Sequence, residues 1–169
     1  MNQTADQLVA ALKEAILAEQ TGVQFYTVAA SRTTDARGRE VFMQLAREET
    51  EHQQWLRRQY HHIIEGTPLE EMKAASHADL SGPSPIFSEA LRSRIGEAHW
   101  EMTALAVGLA LEEATVARYR TMARDAEQPS VKHFFEELAN WEETHASALS
   151  RQASLLKESY WSEAHFAPF

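Results

Sequence analysis

Glu19, followed by Glu49 and then by His52 three residues further on, is a set of side chains suited to coordinating a metal ion. Glu112, Glu142 and His145 form the same set again, and the differences 112−19, 142−49 and 145−52 all equal 93. The flanking residues keep this offset: Leu45 maps onto Leu138, Phe42 onto Phe135 and Tyr26 onto Tyr119. Four carboxylates and two imidazoles repeated in this way are the ligand set of a dinuclear metal site inside a four-helix bundle. Such a site points to iron and oxygen chemistry.

Charge supports the same reading. Four ionised carboxylates left unpaired in a low-dielectric interior would protonate or unfold the chain. Two divalent cations cancel them while both histidines stay neutral. The expected arrangement has two Glu bridging the ions, two Glu chelating terminally and one His on each ion. Hard oxygen and imidazole donors suit Fe or Mn, with Zn or Co able to occupy the same cage in vitro. A single Glu-x-x-His would carry little weight, because a chain this rich in Glu with eight His produces about one by chance. Two copies, each on an apolar seam and each with its own matching Glu, carry much more.

Neighbouring acids read differently. Glu48, Glu51, Glu113 and Glu143 are assigned to the surface or to a supporting position behind the ligands. His61, His62, His99, His133 and His165 have no partner at ligand spacing and read as surface or core histidines. Tyr26 and Tyr119 fall seven residues from the Glu on their own helices, which puts them on the same seam. Two readings stand for them: core aromatics with a satisfied hydroxyl, or groups that hydrogen-bond to the ligands or carry electrons.

Four amphipathic helices must place these residues. Leu8, Leu12, Ala15, Glu19, Gly22 and Tyr26 alternate spacings of four and three, which predicts the first helix. Phe42, Leu45, Glu49, His52, Leu56 and Ile63 predict the second. Leu105, Leu109, Glu112, Val116 and Tyr119 mark the third, and Phe135, Leu138, Glu142, His145, Leu149 and Leu156 the fourth. Short breaks at Ser31–Gly38, with Asp35 as an N-cap, and at Asp125–Ser130, with Pro129 in a first turn, make two antiparallel hairpins. The hairpins span about 5–66 and 97–158, and a crossover over 67–96 joins them. It contains Pro68, Gly82, Pro83 and Pro85, and a short helix is expected around Ser88 to Ile95.

One long connection between helices two and three makes those two parallel. The predicted fold is therefore all-α, a ferritin-like antiparallel four-helix bundle over 1–158. Glu19 and Glu49 each lie about a dozen residues from their loop, roughly 18 Å along the helix, so they stand at one height. Glu112 and Glu142 match each other in the same way. The segment 159–169, with Tyr160, Trp161, Phe166 and Phe169, is too aromatic for a free end and is expected to pack on the bundle or on a partner.

Composition narrows the function. The chain has 169 residues, enough for one cored domain, and no cysteine. Thiolate zinc, rubredoxin-type iron and iron–sulfur clusters are excluded, so a metal must sit on N and O donors. A net charge of −9 argues against binding nucleic acid through its phosphates. Residues Met1–Ala10 lack the features of a signal peptide, and the longest apolar run, Ala104–Leu111, falls far short of the ~20 residues of a membrane span. The expectation is a soluble cytoplasmic protein that binds neither nucleic acid nor membrane.

These residues resemble the rubrerythrin branch of the ferritin-like superfamily. Leu17-Ala-Glu-Gln-Thr-Gly-Val-Gln-Phe-Tyr26 is similar to that family's first-helix signature, a ligand Glu followed by Phe-Tyr. Leu45-Ala-Arg-Glu-Glu-Thr-Glu-His52 and Leu138-Ala-Asn-Trp-Glu-Glu-Thr-His145 are similar to its Leu-Ala-x-x-Glu-x-x-His segments. The resemblance covers roughly residues 5 to 158. It implies Glu19, Glu49, His52, Glu112, Glu142 and His145 as ligands and catalytic residues of a two-iron site in a homodimer. It also implies reduction of hydrogen peroxide or dioxygen, with electrons from an external donor.

Two departures stand out. A sequence without Cys has no rubredoxin centre to feed the site, and Thr115 and Val116 stand where the family has an additional carboxylate. The symmetric six-ligand set is also similar to the ferroxidase centre of bacterioferritins, and manganese catalases share the general architecture. Two alternatives therefore accompany the peroxidase expectation: a ferroxidase that stores or detoxifies iron, and a non-catalytic, metal-stabilised interaction module.

Overall fold

The computed structural model describes residues 3–70, 86–93, 96 and 98–163, with side chains described from 6 to 161. Its helices are α1 (Gln3–Arg32), α2 (Ala36–Glu65), a short α3 (Glu89–Arg92), α4 (His99–Asp125) and α5 (Pro129–Glu163). No strand occurs among the described residues. None of these helices is long and apolar enough to cross a membrane.

The seams predicted from spacing are the faces that become buried. Leu12, Ala15 and Tyr26 of α1, Phe42, Leu45 and Leu56 of α2, and Leu138 and Leu149 of α5 are fully enclosed. α1 packs most extensively on α2 and α4 on α5, while α1 against α4 joins the two hairpins. The core divides into two clusters. One gathers Tyr26, Phe42, Leu45, Leu105, Leu149 and Leu156. The other gathers Leu12, Leu56, Tyr119, Phe135 and Leu138.

Helix direction follows from this division. The C-terminal half of α1 shares a cluster with the start of α2, the start of α4 and the end of α5. α2 and α4 therefore run parallel, as a single crossover requires, and every candidate ligand falls at the level between the clusters.

Local chemistry sets the ends of the elements. Asp35 caps α2 by accepting the Gly38 N–H at 2.8 Å. The same carboxylate accepts the Ser88 hydroxyl, and Ser88 caps α3 by accepting the Leu91 N–H at 3.3 Å. The returning crossover is thus tied to the α1–α2 turn. Ile86 N–H adds a bond of 2.6 Å to Gln152 Oε1, and Phe87 lies buried 6.3 Å from the ring of Phe42.

Two differences from the sequence reading concern boundaries. The short helix is confined to Glu89–Arg92 instead of running from Ser88 to Ile95, and Arg94 and Ile95 lie outside the described residues. So does 71–85, with Gly82, Pro83 and Pro85. Lastly, α5 continues to Glu163, so Tyr160 and Trp161 are helical and not part of a separate tail. Nothing in Lys157–Glu163 breaks a helix, and Tyr160 packs against the apolar cluster at that end. Phe166 and Phe169 lie outside the described residues.

Through Phe87, the described part of the crossover packs closely against Gly38. A Cβ there would stand 2.3 Å from Phe87 Cε1. Helix propensity alone favours Gly38→Ala by about 1 kcal/mol, whereas overpacking costs about 1–3 kcal/mol. Overpacking should win, because the Phe87 ring is itself enclosed. Denaturant unfolding is expected to show G38A destabilised in the native background. The same change is expected to be neutral or stabilising once Phe87→Ala has removed the obstacle. An equal effect in both backgrounds contradicts the contact.

Candidate metal centre

The six residues singled out by spacing meet. Glu19 comes from α1, Glu49 and His52 from α2, Glu112 from α4, and Glu142 and His145 from α5, and none is more than 3 % exposed. They form two overlapping groups: Glu19, Glu49, His52 and Glu142, and then Glu49, Glu112, Glu142 and His145. Within each group, one donor atom per residue lies within 4.8 Å of all the others. Glu49 and Glu142 are common to both groups, while Glu19 and Glu112 each belong to one.

Both imidazoles turn Nδ1 inward. His52 Nδ1 lies 3.0 Å from Glu142 Oε1, 3.2 Å from Glu19 Oε2 and 4.0 Å from Glu49 Oε2. His145 Nδ1 lies 3.3 Å from Glu49 Oε1 and 3.6 Å from Glu142 Oε2. The two rings stack nearly parallel at 5.8 Å. Glu49 Oε1 and both oxygens of Glu142 are buried at ion-pair distances from these nitrogens, yet none receives a well-directed hydrogen bond. Buried oxygens that lack a donor are what a cation satisfies, and the donor set of N and O fits Fe, Mn or Zn.

The remaining polar contacts hold the terminal carboxylates. The Tyr26 hydroxyl donates to Glu112 Oε1, and the Tyr119 hydroxyl donates to Glu19 Oε1, so each bond crosses between hairpins. Tyr26 stacks on Phe42 and Tyr119 on Phe135, each pair at 6.3 Å. The two readings of these tyrosines thus merge, since they are core aromatics whose hydroxyls are satisfied by candidate ligands. Gly22 leaves a notch for Glu49: a Cβ there would stand 3.0 Å from Glu49 Oε2. Thr115, where an extra carboxylate was sought, turns its hydroxyl to the Leu111 carbonyl of its own helix at 3.0 Å.

Of the two positions open to Glu48, it takes the supporting one behind a candidate ligand. It is 1 % exposed, and its Oε2 lies 2.8 Å from His145 Nε2 on the outward side of that ring. The sequence signal is that Glu48 lies three residues after Leu45 and four before His52, close to the seam. Glu51, Glu113 and Glu143 are exposed, and Glu143 accepts from Arg120 at 2.5 Å. His61 and His99 are exposed. His62 lies 3.2 Å from Glu70 and His133 3.5 Å from Glu137. His165 lies outside the described residues.

Electrostatics in the metal-free cage follow from burial. Burial lifts Glu19 well above the usual carboxylate value, and the Glu142 and Glu49 charges push the same way. Glu112 is raised by burial and then by Glu49 and Glu142. For the imidazoles burial opposes charge. Glu142, Glu19 and Glu49 together overcome it at His52, and Glu142, Glu48 and Glu49 do so at His145, so both are raised. Burial also opposes charge on Glu142, but the two histidines outweigh it and hold its carboxyl below the usual range. Burial and the adjoining carboxylates raise both phenols, so Tyr26 and Tyr119 remain donors.

Comparison with known proteins speaks to family and fold. The family profile described as Rubrerythrin matches the chain over residues 10–102 and 103–166. Among solved structures, a crystal structure of a protein from Xanthomonas campestris pv. campestris superposes with a TM-score of 0.60. It is 17 % identical and the alignment covers 96 % of this chain and 99 % of that one, a likeness that speaks for the fold. No curated protein matches significantly.

The raised groups set a pH dependence. Glu19, Glu112, His52 and His145 keep protons in the folded, metal-free chain that the unfolded chain has released. Folding therefore takes up protons, and metal-free stability falls as pH rises. Glu142 acts in the opposite sense, but only below the ordinary carboxylate value. The melting temperature of metal-free protein is expected to drop between about pH 6 and about pH 8. The increment added by Zn(II) should grow over that range, because the cation displaces those protons. A metal-free melting temperature that climbs with pH contradicts this assignment.

Proposed function

The chain belongs to the rubrerythrin family, and from that premise we propose that it is a di-iron oxidoreductase. It would reduce hydrogen peroxide, or dioxygen, with electrons restored by an external donor. The observation carrying this reading is the overlap of two buried ligand groups through Glu49 and Glu142. Glu19 and His52 would hold one ion, Glu112 and His145 the other, and the two common carboxylates would serve both. When bound, two ferrous ions supply the two electrons that break an O–O bond, and two protons complete the conversion of hydrogen peroxide to two waters.

The chain's own residues contribute position and dryness. The apolar clusters on either side, with Leu45, Leu105 and Leu149 on one and Leu56 and Leu138 on the other, keep bulk water from the cage. Low polarity strengthens every charge interaction inside. Tyr26 and Tyr119 fix the orientation of the two terminal carboxylates through their hydroxyl protons. The notch at Gly22 gives Glu49 the space it occupies, which any larger residue there would crowd.

One observation favours a second reading. Thr115 faces its own helix backbone, so the set stays at six symmetric groups, an arrangement that also suits Fe(II) oxidation for storage or detoxification.

Two experiments test these readings. Metal analysis is expected to find two Fe per chain in the native sequence. Glu19→Ala, which removes a group from one site only, is expected to retain about one, and Glu142→Ala, which removes a group from both, well under one. Equal losses from the two variants contradict the assignment. Anaerobically reduced protein pulsed with hydrogen peroxide is expected to oxidise at least tenfold faster than with buffer. No acceleration sinks the peroxidase reading, and iron uptake well beyond two per chain selects the storage reading.

A further inference from the structure

The offset of 93 that relates the ligands also relates the residues behind them, and there the two halves differ. Glu48 maps onto Trp141, Gln44 onto Glu137 and Arg47 onto Asn140, since 141−48, 137−44 and 140−47 all equal 93. In the first repeat these residues form a chain. The Arg47 guanidinium donates to Gln44 Oε1 at 3.1 Å, and Gln44 Nε2 donates to Glu48 Oε1 at 2.7 Å. Glu48 Oε2 then lies 2.8 Å from His145 Nε2. Each position works across the hairpin boundary, because Glu48 on α2 supports the imidazole on α5.

The mirror position holds an indole. Trp141 on α5 stacks on His52 of α2 with ring centroids 4.6 Å apart and planes 19° from parallel. Stacking fixes the plane of His52 but places no carboxylate behind it, and His52 Nε2 is buried without a hydrogen-bond partner. Glu137 instead lies against His133, and Asn140 is exposed.

A carboxylate behind a ligating imidazole fixes its tautomer, orients the ring and makes the inward nitrogen a better donor. Loss of such a partner typically costs 10–100-fold in metal affinity. Resting on the metal-binding reading above, we propose that the two halves of the cage are unequal and fill in order. Glu48 is the positioning residue that makes the His145 half the tighter, and Trp141 leaves the His52 half the weaker.

The proposal is tested on the full chain, stripped of metal and titrated with Zn(II), which is diamagnetic and redox-silent. Histidine ¹⁵N–¹H spectra, assigned with single-histidine variants, report which imidazole is occupied, and calorimetry reports the affinities. The first equivalent is expected to move the His145 Nδ1 resonance, and only the second that of His52. Glu48→Gln keeps the size and hydrogen-bonding capacity of the side chain but removes its charge, so it should fold. It is expected to weaken the first step by about 10–100-fold and to abolish the order. Trp141→Glu, which places a carboxylate behind His52, is expected to strengthen the second step.

Both resonances moving together in the native sequence, or His52 moving first, overturns the proposal. So does Glu48→Gln weakening only the second step. Failure of Zn(II) to move either histidine overturns the metal reading itself, a separate result that calorimetry reports as no binding.

Discussion

Burial of Glu19, Glu49, Glu112 and Glu142 within one layer is the constraint on which the rest of this structure depends. Carboxylates this close cannot all be charged in a dry interior unless something positive or hydrogen-bonding meets them. In the metal-free chain, burial and the neighbouring charges raise Glu19 and Glu112, and the neighbouring carboxylates raise His52 and His145 against burial, which favours the protonated forms. Cations would meet the carboxylates without protons. The two apolar clusters lie on either side of this layer, and their packing holds the charged groups at one height. Removing that packing would let water in and weaken the electrostatic coupling as well as the fold.

The layer also determines topology. Each terminal carboxylate is held by a tyrosine from the other hairpin, so the hydroxyl bonds cross between α1 and α4. That crossing requires the two hairpins to dock at matching height, which in turn requires α4 to begin at the same end as α2. The end of α2 and the start of α4 therefore lie at opposite ends of the bundle. The return of the crossover is anchored by Asp35, Ser88 and the contact of Phe87 with Gly38, all at the end away from Gly66.

Spacing exposes the helices and the six residues that meet in the cage, and loop lengths expose the hairpins and the parallel α2 and α4. These are legible because a ligand replaces an apolar residue on a periodic seam, and an exact repeat exposes the substitution twice. Groups whose role depends on contacts across the bundle were less legible. Spacing near the seam leaves Glu48 either at the surface or behind the ligands, since nothing along α2 reveals that His145 of α5 faces it. The hydroxyls of Tyr26 and Tyr119 had two readings for the same reason. The crossover lacks periodicity, so spacing does not fix the ends of its short helix. α5 runs on to Glu163 because no helix breaker stands after Leu156, and aromatic content by itself does not end a helix.

A duplicated hairpin need not have produced one site rather than two. Here the first hairpin supplies Glu19, Glu49 and His52 to one group and the second supplies Glu112, Glu142 and His145 to the other, and each group is completed by a single carboxylate from its neighbour. A lone hairpin would present three donors and an open side to water, a weak site on a marginal two-helix element. Docking the hairpins closes both groups together, because Glu49 and Glu142 each face both histidines. Cation binding in this cage would therefore be coupled to hairpin association, and a cation that held the cage would also hold the bundle. The repeated inner residues answer to that shared requirement and keep their symmetry. The residues behind them, Glu48 and Trp141, each face a single imidazole, so the geometry leaves them free to diverge.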